Sequence, residues 1–219
     1  VDFIADDSIT GDILNYYGNF PCKIKAGVFM LCTEGMVRAT INLLEIVIRK
    51  NDFIVVLPNS FIQIHEVSSD TRISFAGFSS DFMLSGNYVE ILLDFMPMIL
   101  NSPVISLQED VAGLYRNVYL LLIRAYTLPH SLENKEIIRS VLAIFLQGTK
   151  ELYKRYGKKL DEPLRREQEL YRQFIQLLMV HYTKEHEVAF YAEKCGVTAA
   201  HFSSAIRRAS GYSPLAIIT

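Results

Sequence analysis

The sequence lacks the features that mark secreted and membrane-spanning proteins. It has three cysteines, Cys22, Cys32 and Cys195, an odd number at spacings that fit no disulfide framework. Its first residues show no basic start followed by an apolar run, and its apolar stretches are too short to span a bilayer. These absences predict a cytoplasmic protein with reduced thiols and no membrane partner.

Signals of catalysis are scarce as well. The sequence has no glycine-rich phosphate loop and no recognisable spacing of a Ser–His–Asp set. Its first third holds one histidine, His65, whereas barrel-fold metal enzymes need several His and Glu side chains on adjacent strands. We therefore expect no cofactor, no metal and no enzymatic activity. The alternative is a metal-dependent β-barrel enzyme that carries a helical appendage.

The first third of the sequence reads as a series of strands. Half of the 219 residues are apolar, enough to build a core for one large domain or two small ones. In this third, β-rich apolar segments alternate with turn signals about every ten residues, which predicts an antiparallel sandwich or barrel. The predicted strand segments are 24–32, 37–48 with a bend near Asn42, 53–57, 61–67 and 72–78.

After residue 80 the apolar residues follow the helical period of 3.6. The pattern predicts a helix over 88–100, a second helix behind a capping box of Ser106 and Glu109, and a third that ends near Tyr156. A break at 128–131 makes the last two an antiparallel hairpin. Its apolar stripe either pairs two copies in a homodimer or packs on the barrel. The stripe consists of Leu114, Val118, Leu121, Leu122, Val141, Phe145 and Leu152.

A polar, charged stretch that contains Pro163 follows the hairpin. We predict that this stretch, 158–166, links two domains, 1–157 and 167–219. From residue 158 onward the chain has nine Lys and Arg against seven Asp and Glu. This mildly basic balance permits DNA binding.

The segment around Gly196 has the spacing of a helix-turn-helix. Ala192, Gly196, Phe202 and Ile206 follow the pattern Ala-x3-Gly-x5-apolar-x3-apolar. A small alanine lets two helices cross closely, glycine can adopt the left-handed conformation that ends the first helix, and Thr198 can cap the second. Phe202 and Ile206 are then expected to face inward.

The opposite face of the second helix is predicted to contact DNA. Ala200, Ser203, Ser204 and Arg207 lie at i, i+3, i+4 and i+7 and therefore form one stripe. In the major groove, serine hydroxyls bond to base edges and an alanine methyl contacts a thymine methyl. Cationic side chains suit the phosphate backbone. The cationic candidates are Arg207, Arg208 and Lys194.

The segment 188–215 (VAFYAEKCGVTAAHFSSAIRRASGYSPL) closely resembles the first helix-turn-helix of the AraC/XylS family of bacterial transcription regulators. This resemblance implies base-facing roles for Ala200, Ser203 and Ser204 and a backbone role for Arg207. The phrases typical of the family are 189–192 (AFYA), 201–204 (HFSS) and 211–215 (GYSPL).

The front of the chain also resembles the cupin-like sensor domain of that family. The resemblance implies an α+β fold: an N-terminal antiparallel cupin-like β-barrel, then the helical hairpin, then an all-α helix-turn-helix segment. In that family a connecting helix leads to a second helix-turn-helix. Residues 213–219 look like the start of this connecting helix, so we expect the second unit to be missing from this chain. The sensor phrases are 27–29, 32–35, 52–58 and 78–82.

Together these patterns predict a sequence-specific DNA-binding transcription regulator that responds to a small-molecule effector. Its partners would be promoter DNA, in the full-length protein, a second copy of itself and, as a further candidate, RNA polymerase. Two lysines at the barrel mouth suit an anionic effector; the alternative is that they only mark a solvated strand end. The apolar candidates either line a pocket or belong to the core. The predicted pocket residues are Lys23, Lys25, Phe29, Met30, Phe53, Phe61 and His65.

Overall fold

The chain divides into two units, Val1–Lys159 and Leu160–Thr219. The predicted linker, apart from Arg166, lies outside the described residues, as do the hairpin break at 128–131 and residues 211–212 of the family phrase. The computed structural model describes residues 3–17, 20–42, 44–58, 60–79, 82, 88–127, 135–157, 166–181, 184–210 and 213–218.

Nine described strands form two antiparallel sheets in the first unit. They are β1 (Phe3–Thr10), β2 (Cys22–Ile24), β3 (Ala26–Glu34), β4 (Met36–Ile41), β5 (Leu44–Arg49), β6 (Asp52–Val56), β7 (Ser60–Val67), β8 (Arg72–Ser79) and β9 (Val104–Ser106). One sheet has the strand order β1-β8-β3-β6-β9 and the other the order β2-β7-β4-β5. Every predicted strand segment is present, and the α+β class is confirmed, whereas β1, β2 and β9 were not predicted.

The bend predicted near Asn42 is a tight hairpin turn. Ile41 at the end of β4 pairs with Leu44 at the start of β5, and Asn42 between them has φ 46°. Asparagine tolerates this left-handed conformation better than most residues. The turn therefore splits one long apolar segment into the two predicted strands.

Strand β3 shows that the five-stranded sheet is buried on both faces. Phe29 is buried on one face, where its ring meets the Phe145 ring edge to face at 5.2 Å. Val28 and Met30, on the other face, pack in the cluster that includes Ala39 of the four-stranded sheet. Because neighbouring residues of a strand point to opposite faces, the apolar run of β3 serves both the helices and the second sheet.

Helices cover the outer face of the five-stranded sheet. The side chain of Phe145 lies at the centre of this layer, with ring centroids of Phe29, Phe53, Tyr115 and Tyr119 at 5.2, 6.2, 5.9 and 5.6 Å. This cluster joins the sheet to both helices of the predicted hairpin. The described helices of this unit are α1 (Gly11–Tyr17), α2 (Tyr88–Asn101), α3 (Glu109–Thr127) and α4 (Lys135–Tyr156).

The apolar stripe of the hairpin divides into buried and exposed members. Leu122, Phe145 and Leu152 are buried within the unit, so the prediction that Phe145 and Leu152 form a dimer seam is wrong, because these side chains are core. Leu114 and Leu121 are 61% and 50% exposed. The half-buried members are Val118 and Val141.

The predicted capping box at the start of α3 is wrong. Ser106 belongs to β9, where it pairs with Asp52, and its Oγ donates a hydrogen bond of 2.6 Å to Asp52 Oδ1. Glu109 accepts a hydrogen bond from Asn51 Nδ2 at 2.5 Å instead of from the backbone. Strand pairing therefore takes the Ser106 side chain away from the helix terminus, and Asn51 holds the Glu109 carboxylate.

The second unit is helical, and its core is built around one phenylalanine. The Phe174 ring meets Tyr191 at 5.3 Å and Phe202 at 5.1 Å, both edge to face. No helix in the described ranges is long and apolar enough to cross a membrane. The helices of this unit are α5 (Arg166–His181), α6 (Val188–Lys194), α7 (Ala199–Ser210) and α8 (Pro214–Ile218).

The position of Phe145 gives a stability prediction. Phe145→Ala removes the ring that four aromatic side chains contact and leaves a cavity, so it should lower the free energy of unfolding by about 3–5 kcal/mol. Ile144→Ala is the matched control, because Ile144 is 70% exposed and its truncation should change stability by only about 0.5 kcal/mol. Urea unfolding followed by circular dichroism measures both, and equal losses would contradict the assignment of Phe145 to the core.

Candidate nucleic-acid interface and ligand cavity

A glycine in the left-handed conformation makes the turn between α6 and α7. Gly196 has φ 68°, as the sequence predicted. Its N–H donates to the Glu193 carbonyl oxygen at 2.9 Å, and the Val197 N–H donates to the Ala192 carbonyl oxygen at 3.0 Å. These bonds satisfy carbonyls at the end of α6. Ala192 is buried, consistent with the close helix crossing expected there.

The inner face of α7 is apolar and fully packed. Phe202 and Ile206 are both 0% exposed, and Ala205 and Ala209 are also buried. Thr198 precedes the helix, and its Oγ1 accepts a hydrogen bond from the His201 N–H at 3.3 Å. This contact satisfies one free N–H of the first turn. The helix therefore has the orientation that the spacing predicted.

The outer face of α7 carries small and polar side chains. Ala200, Ser204 and Arg207 are exposed, and Ser203 is half-buried. The four residues lie on one side of the helix because their spacing repeats every turn. No bulky apolar group interrupts this stripe, so a flat surface such as a base edge can approach it closely.

The cationic side chains near this stripe differ in what they contact. Arg208 Nη1 donates to Ser204 Oγ at 3.2 Å, and Arg208 Nη2 lies 3.6 Å from Glu167 Oε1. Lys194 Nζ lies 5.7 Å from the centre of the Phe190 ring. Within the residues that the structure describes, the Arg207 side chain has neither a hydrogen bond nor an ion pair, and its guanidinium is therefore available to an external anion.

A tyrosine that the sequence reasoning did not single out fixes the start of α6. Tyr191 is fully buried, and its hydroxyl donates to the Glu185 carbonyl oxygen at 2.8 Å. Burial, and next the negative charge of Glu185, raise the pKa of Tyr191 to about 12. The hydroxyl therefore stays protonated at neutral pH. Tyr191 is part of the family phrase at 189–192, and that phrase was the sequence signal that could have identified it.

An apolar cavity of about 270 Å³ lies between the two sheets. Phe20 and Cys22 are its exposed members, so the cavity opens beside them. Its lining has no charged side chain and consists almost entirely of aliphatic groups. The lining residues are Leu14, Phe20, Cys22, Ile24, Val28, Met30, Val37, Ala39, Ile41, Ile48, Ile62, Ile64 and Ile73.

Of the predicted pocket residues, Met30 lines this cavity and the others do not. The prediction was wrong for Phe29 and Phe53, because they lie on the opposite face of their sheet, among the aromatic rings around Phe145. A ring-filled layer leaves little room for a ligand, whereas the space between the sheets is lined by smaller side chains.

The predicted polar pocket residues lie away from the cavity as well. Cys22 and Ile62 line the cavity, so their neighbours Lys23 and Phe61, which pair with each other, point to the outer face of the four-stranded sheet. His65 is exposed, with a ring nitrogen 2.7 Å from Thr40 Oγ1. Lys25 is exposed between β2 and β3. These four residues are therefore corrected from pocket to surface positions.

The described residues include no group of three or more His, Cys, Asp and Glu side chains that could hold a metal ion. The outer face of α7 and the cavity between the sheets are the two candidate surfaces. Each suits binding: a small polar helix face for one site, and an apolar cavity for the other.

The turn at Gly196 gives a local stability prediction. An added Cβ would meet no atom within 4 Å, so Gly196→Ala should cost only the backbone strain of the left-handed conformation, about 1–2 kcal/mol. Gly196→Asn should cost less, because asparagine tolerates that conformation. Hydrogen exchange of peptides from α6 and α7 measures the loss. Gly113→Ala, at an exposed glycine within α3 with equally free space, should instead slow exchange in α3.

If alanine and asparagine at position 196 accelerated exchange equally, the conformational explanation would be wrong.

Comparison by sequence finds nothing similar: no protein-family model matches the chain, and no curated protein matches it. Comparison by fold does find solved structures. The AraC-like transcriptional activator CuxR matches with a TM-score of 0.49 and 9% identity over 89% of this chain. The match covers 65% of CuxR, so this chain spans less than two thirds of that protein's length.

Two further structures are similar at lower scores. ToxT from Vibrio cholerae, in a structure with a bound unsaturated fatty acid, has a TM-score of 0.40 and 10% identity over 99% of this chain and 94% of ToxT. YcfD, a ribosomal oxygenase from Escherichia coli, has a TM-score of 0.25 and 13% identity over 73% of this chain and 46% of YcfD. Because all three scores lie below 0.5, the functional proposal rests on the residues of this chain.

Proposed function

We propose that this chain is part of a transcription regulator of the AraC/XylS type, in which α7 enters the major groove of DNA. The supporting observation is the two-sidedness of α7. Phe202 and Ile206 are completely buried, while Ala200, Ser204 and Arg207 are exposed on the opposite face. A recognition helix needs this arrangement, because its inner face must hold it in the unit while its outer face stays free for base edges.

The small side chains of the stripe would read bases. A hydroxyl both donates and accepts hydrogen bonds, so Ser203 and Ser204 are compatible with several base edges, and the Ala200 methyl suits a thymine methyl. Ser204 accepts a hydrogen bond from Arg208 in the free protein. Its use on DNA therefore requires a rearrangement of that arginine.

The cationic side chains would hold the phosphate backbone. Arg207 needs no rearrangement, whereas Arg208 must leave Glu167, and Lys194 must leave the face of the Phe190 ring. Surface ion pairs and exposed cation–π contacts of this kind contribute at most about 1 kcal/mol each, so they do not prevent a phosphate contact. We therefore assign the main backbone contact to Arg207.

The cavity between the sheets would hold an apolar effector. Its volume of about 270 Å³ is nearly twice that of an apolar cavity of about 150 Å³ that binds benzene. The lining offers no charged partner, so an ionised group of the effector would have to remain at the opening beside Phe20 and Cys22, where water solvates it. Binding there would shift the population of conformations that place the DNA-binding helices.

Pairing of two copies through the helical hairpin remains part of the proposal. Leu114, Val118 and Leu121 follow each other at spacings of four and three along α3, and Leu114 and Leu121 are exposed. This heptad-like spacing suits helix pairing.

The metal-enzyme alternative has its own test, because a stoichiometric metal found by elemental analysis of the purified protein would favour it. RNA polymerase stays a candidate partner.

The backbone role of Arg207 predicts a uniform loss of affinity. Arg207→Ala should weaken binding to every duplex alike and reduce the slope of log affinity against log salt by about one, because one fewer phosphate is neutralised. Ser203→Ala should instead change which sequences are enriched from a random pool. Fluorescence anisotropy across a salt series measures the slope, and Arg124→Ala, an exposed arginine of the first unit, is the matched control.

Binding that showed no dependence on salt, or an equal loss in both arginine variants, would rule out this assignment of the interface.

The cavity predicts a selective loss of apolar ligand binding. The Ala39 side chain is buried and points into the cavity, so Ala39→Leu should fill part of the space and weaken binding of the neutral dye N-phenyl-1-naphthylamine at least tenfold. The free energy of unfolding should stay equal or rise, because a void is filled. Thr40→Leu, on the outer face of the same strand, should leave dye binding unchanged. Dye fluorescence during titration measures both, and unchanged binding in Ala39→Leu would refute the cavity as the site.

A further inference from the structure

Strand β5 forms an edge of the four-stranded sheet. It pairs with β4 on one side, and it is the last strand in the order β2-β7-β4-β5. Its exposed residues are Glu45, Val47 and Arg49, and Val47 is 44% exposed. An edge strand presents unpaired backbone N–H and C=O groups, which are a template for another strand.

One hydrogen bond identifies which backbone groups of β5 point away from β4. The Arg49 N–H donates to Asp52 Oδ2 at 2.7 Å rather than to β4. In an antiparallel ladder every second residue directs its N–H and C=O to the same neighbour. Glu45 and Val47 therefore belong with Arg49 to the outward set, and their backbone groups are directed to the open edge.

The edge also borders a groove with room for a partner. This groove has a volume of about 500 Å³ and is lined on one side by β5 from Leu44 to Val47 and on the other by residues 101–106. Glu45 and Val47, two of the outward residues, are part of its wall. A strand added to β5 would therefore lie beside this groove.

We propose that the occupant of this edge is β5 of a second copy of the chain, paired antiparallel about a twofold axis at Val47. In this register Glu45 of each copy lies opposite Arg49 of the other, Val47 lies opposite Val47, and Ile46 lies opposite Ile48. The sequence of the strand, Glu-Ile-Val-Ile-Arg over 45–49, is thus complementary to itself in charge and in apolar character. The two four-stranded sheets become one continuous sheet of eight strands.

The alternation of the backbone groups restricts the register. Leu44, Ile46 and Ile48 direct their backbone groups to β4 and form the inward set. Residues that face each other in an antiparallel pair must both belong to the outward set or both to the inward set. An axis between two neighbouring residues would break this rule, so the twofold axis must lie at a residue. An axis at Glu45 or at Arg49 places like charges opposite each other, which is destabilising. An axis at Ile46 or Ile48 leaves both charges without an opposite partner. Only the axis at Val47 forms two Glu–Arg pairs.

A second copy fits the edge better than an unrelated peptide because the required complement is present in the strand itself. A twofold interface uses the same patch on both subunits, and the outward groups of Glu45 and Val47 meet this condition directly. The Arg49 N–H has to exchange Asp52 Oδ2 for the Glu45 carbonyl oxygen of the other copy. A pairing of about six residues buries a small area, so we expect weak, concentration-dependent association. This inference does not depend on the proposed DNA-binding function.

A charge exchange between two variants tests the proposal on the whole chain. Glu45→Arg alone and Arg49→Glu alone each place like charges opposite each other twice, so each should weaken self-association at least about tenfold. An equimolar mixture of the two variants should associate again, because every charge then meets its opposite. The double variant E45R/R49E should also associate. Analytical ultracentrifugation from about 10 µM to about 1 mM covers the expected range.

The matched control is Asp70→Arg, which makes the same change of charge at an exposed position outside β5. It should associate like the unchanged chain, and circular dichroism should show that all variants remain folded. Association through the helical hairpin is insensitive to these substitutions, so a dimer that persists equally in every variant would overturn the edge-strand proposal. Absence of any association of the unchanged chain over the whole concentration range would overturn it too.

Cross-linking tests the register independently. In a Cys22→Ser background, Val47→Cys places two thiols opposite each other on the twofold axis, at a Cα separation near 5.5 Å that a disulfide can bridge. Mild oxidation should give a covalent dimer, and mass spectrometry should find the two β5 peptides joined by a disulfide at the substituted position. Arg49→Cys in the same background should give no such dimer, because its opposite residue is Glu45. Equal cross-linking of both variants would show a different register or a different occupant of the edge.

Discussion

The structure of the first unit depends on the burial of both faces of the five-stranded sheet. Each of the central strands β3, β6 and β8 must supply apolar side chains to two separate layers, one formed by helices and one by the second sheet. Large rings fill the helical layer around Phe145, whereas aliphatic side chains meet between the sheets. This difference in side-chain shape leaves a cavity between the sheets, while the rings around Phe145 pack against one another. The candidate ligand site is thus a by-product of how the core is divided.

Most strands and helices were predictable from the sequence because their signals are local. Long apolar segments bounded by turn residues predicted β3 to β8, and Asn42 marked the hairpin. The acidic residues Asp6 and Asp7 hide β1, and β9 has only three residues and lies between two helical patterns. Ser106 shows the limit most clearly, because a pairing partner 54 residues away overrides a capping signal that lies within four residues.

The two candidate sites also differ in whether local sequence patterns predict them. The turn at Gly196 and the two faces of α7 follow from spacing within one short segment, so the sequence predicted which residues are buried and which are exposed, apart from Ser203, which is half-buried. The cavity requires the register of several strands from two sheets, which no local pattern contains. Phe29 and Phe53 were chosen as pocket residues for their size, yet large rings occupy space rather than enclose it. The aliphatic residues that do enclose it look like ordinary core in the sequence.

The contact of Arg208 with Glu167 has a consequence for the thermodynamics of binding an anionic polymer. In the free protein the Glu167 carboxylate occupies the place that a phosphate would take beside Arg208, so it already neutralises part of the guanidinium charge. When that arginine exchanges the carboxylate for a phosphate, the released Glu167 attracts a cation from solution. The net number of ions set free is then smaller than the number of basic side chains on the surface indicates. In the proposed regulator an internal anion of this kind would lower indiscriminate attraction to DNA.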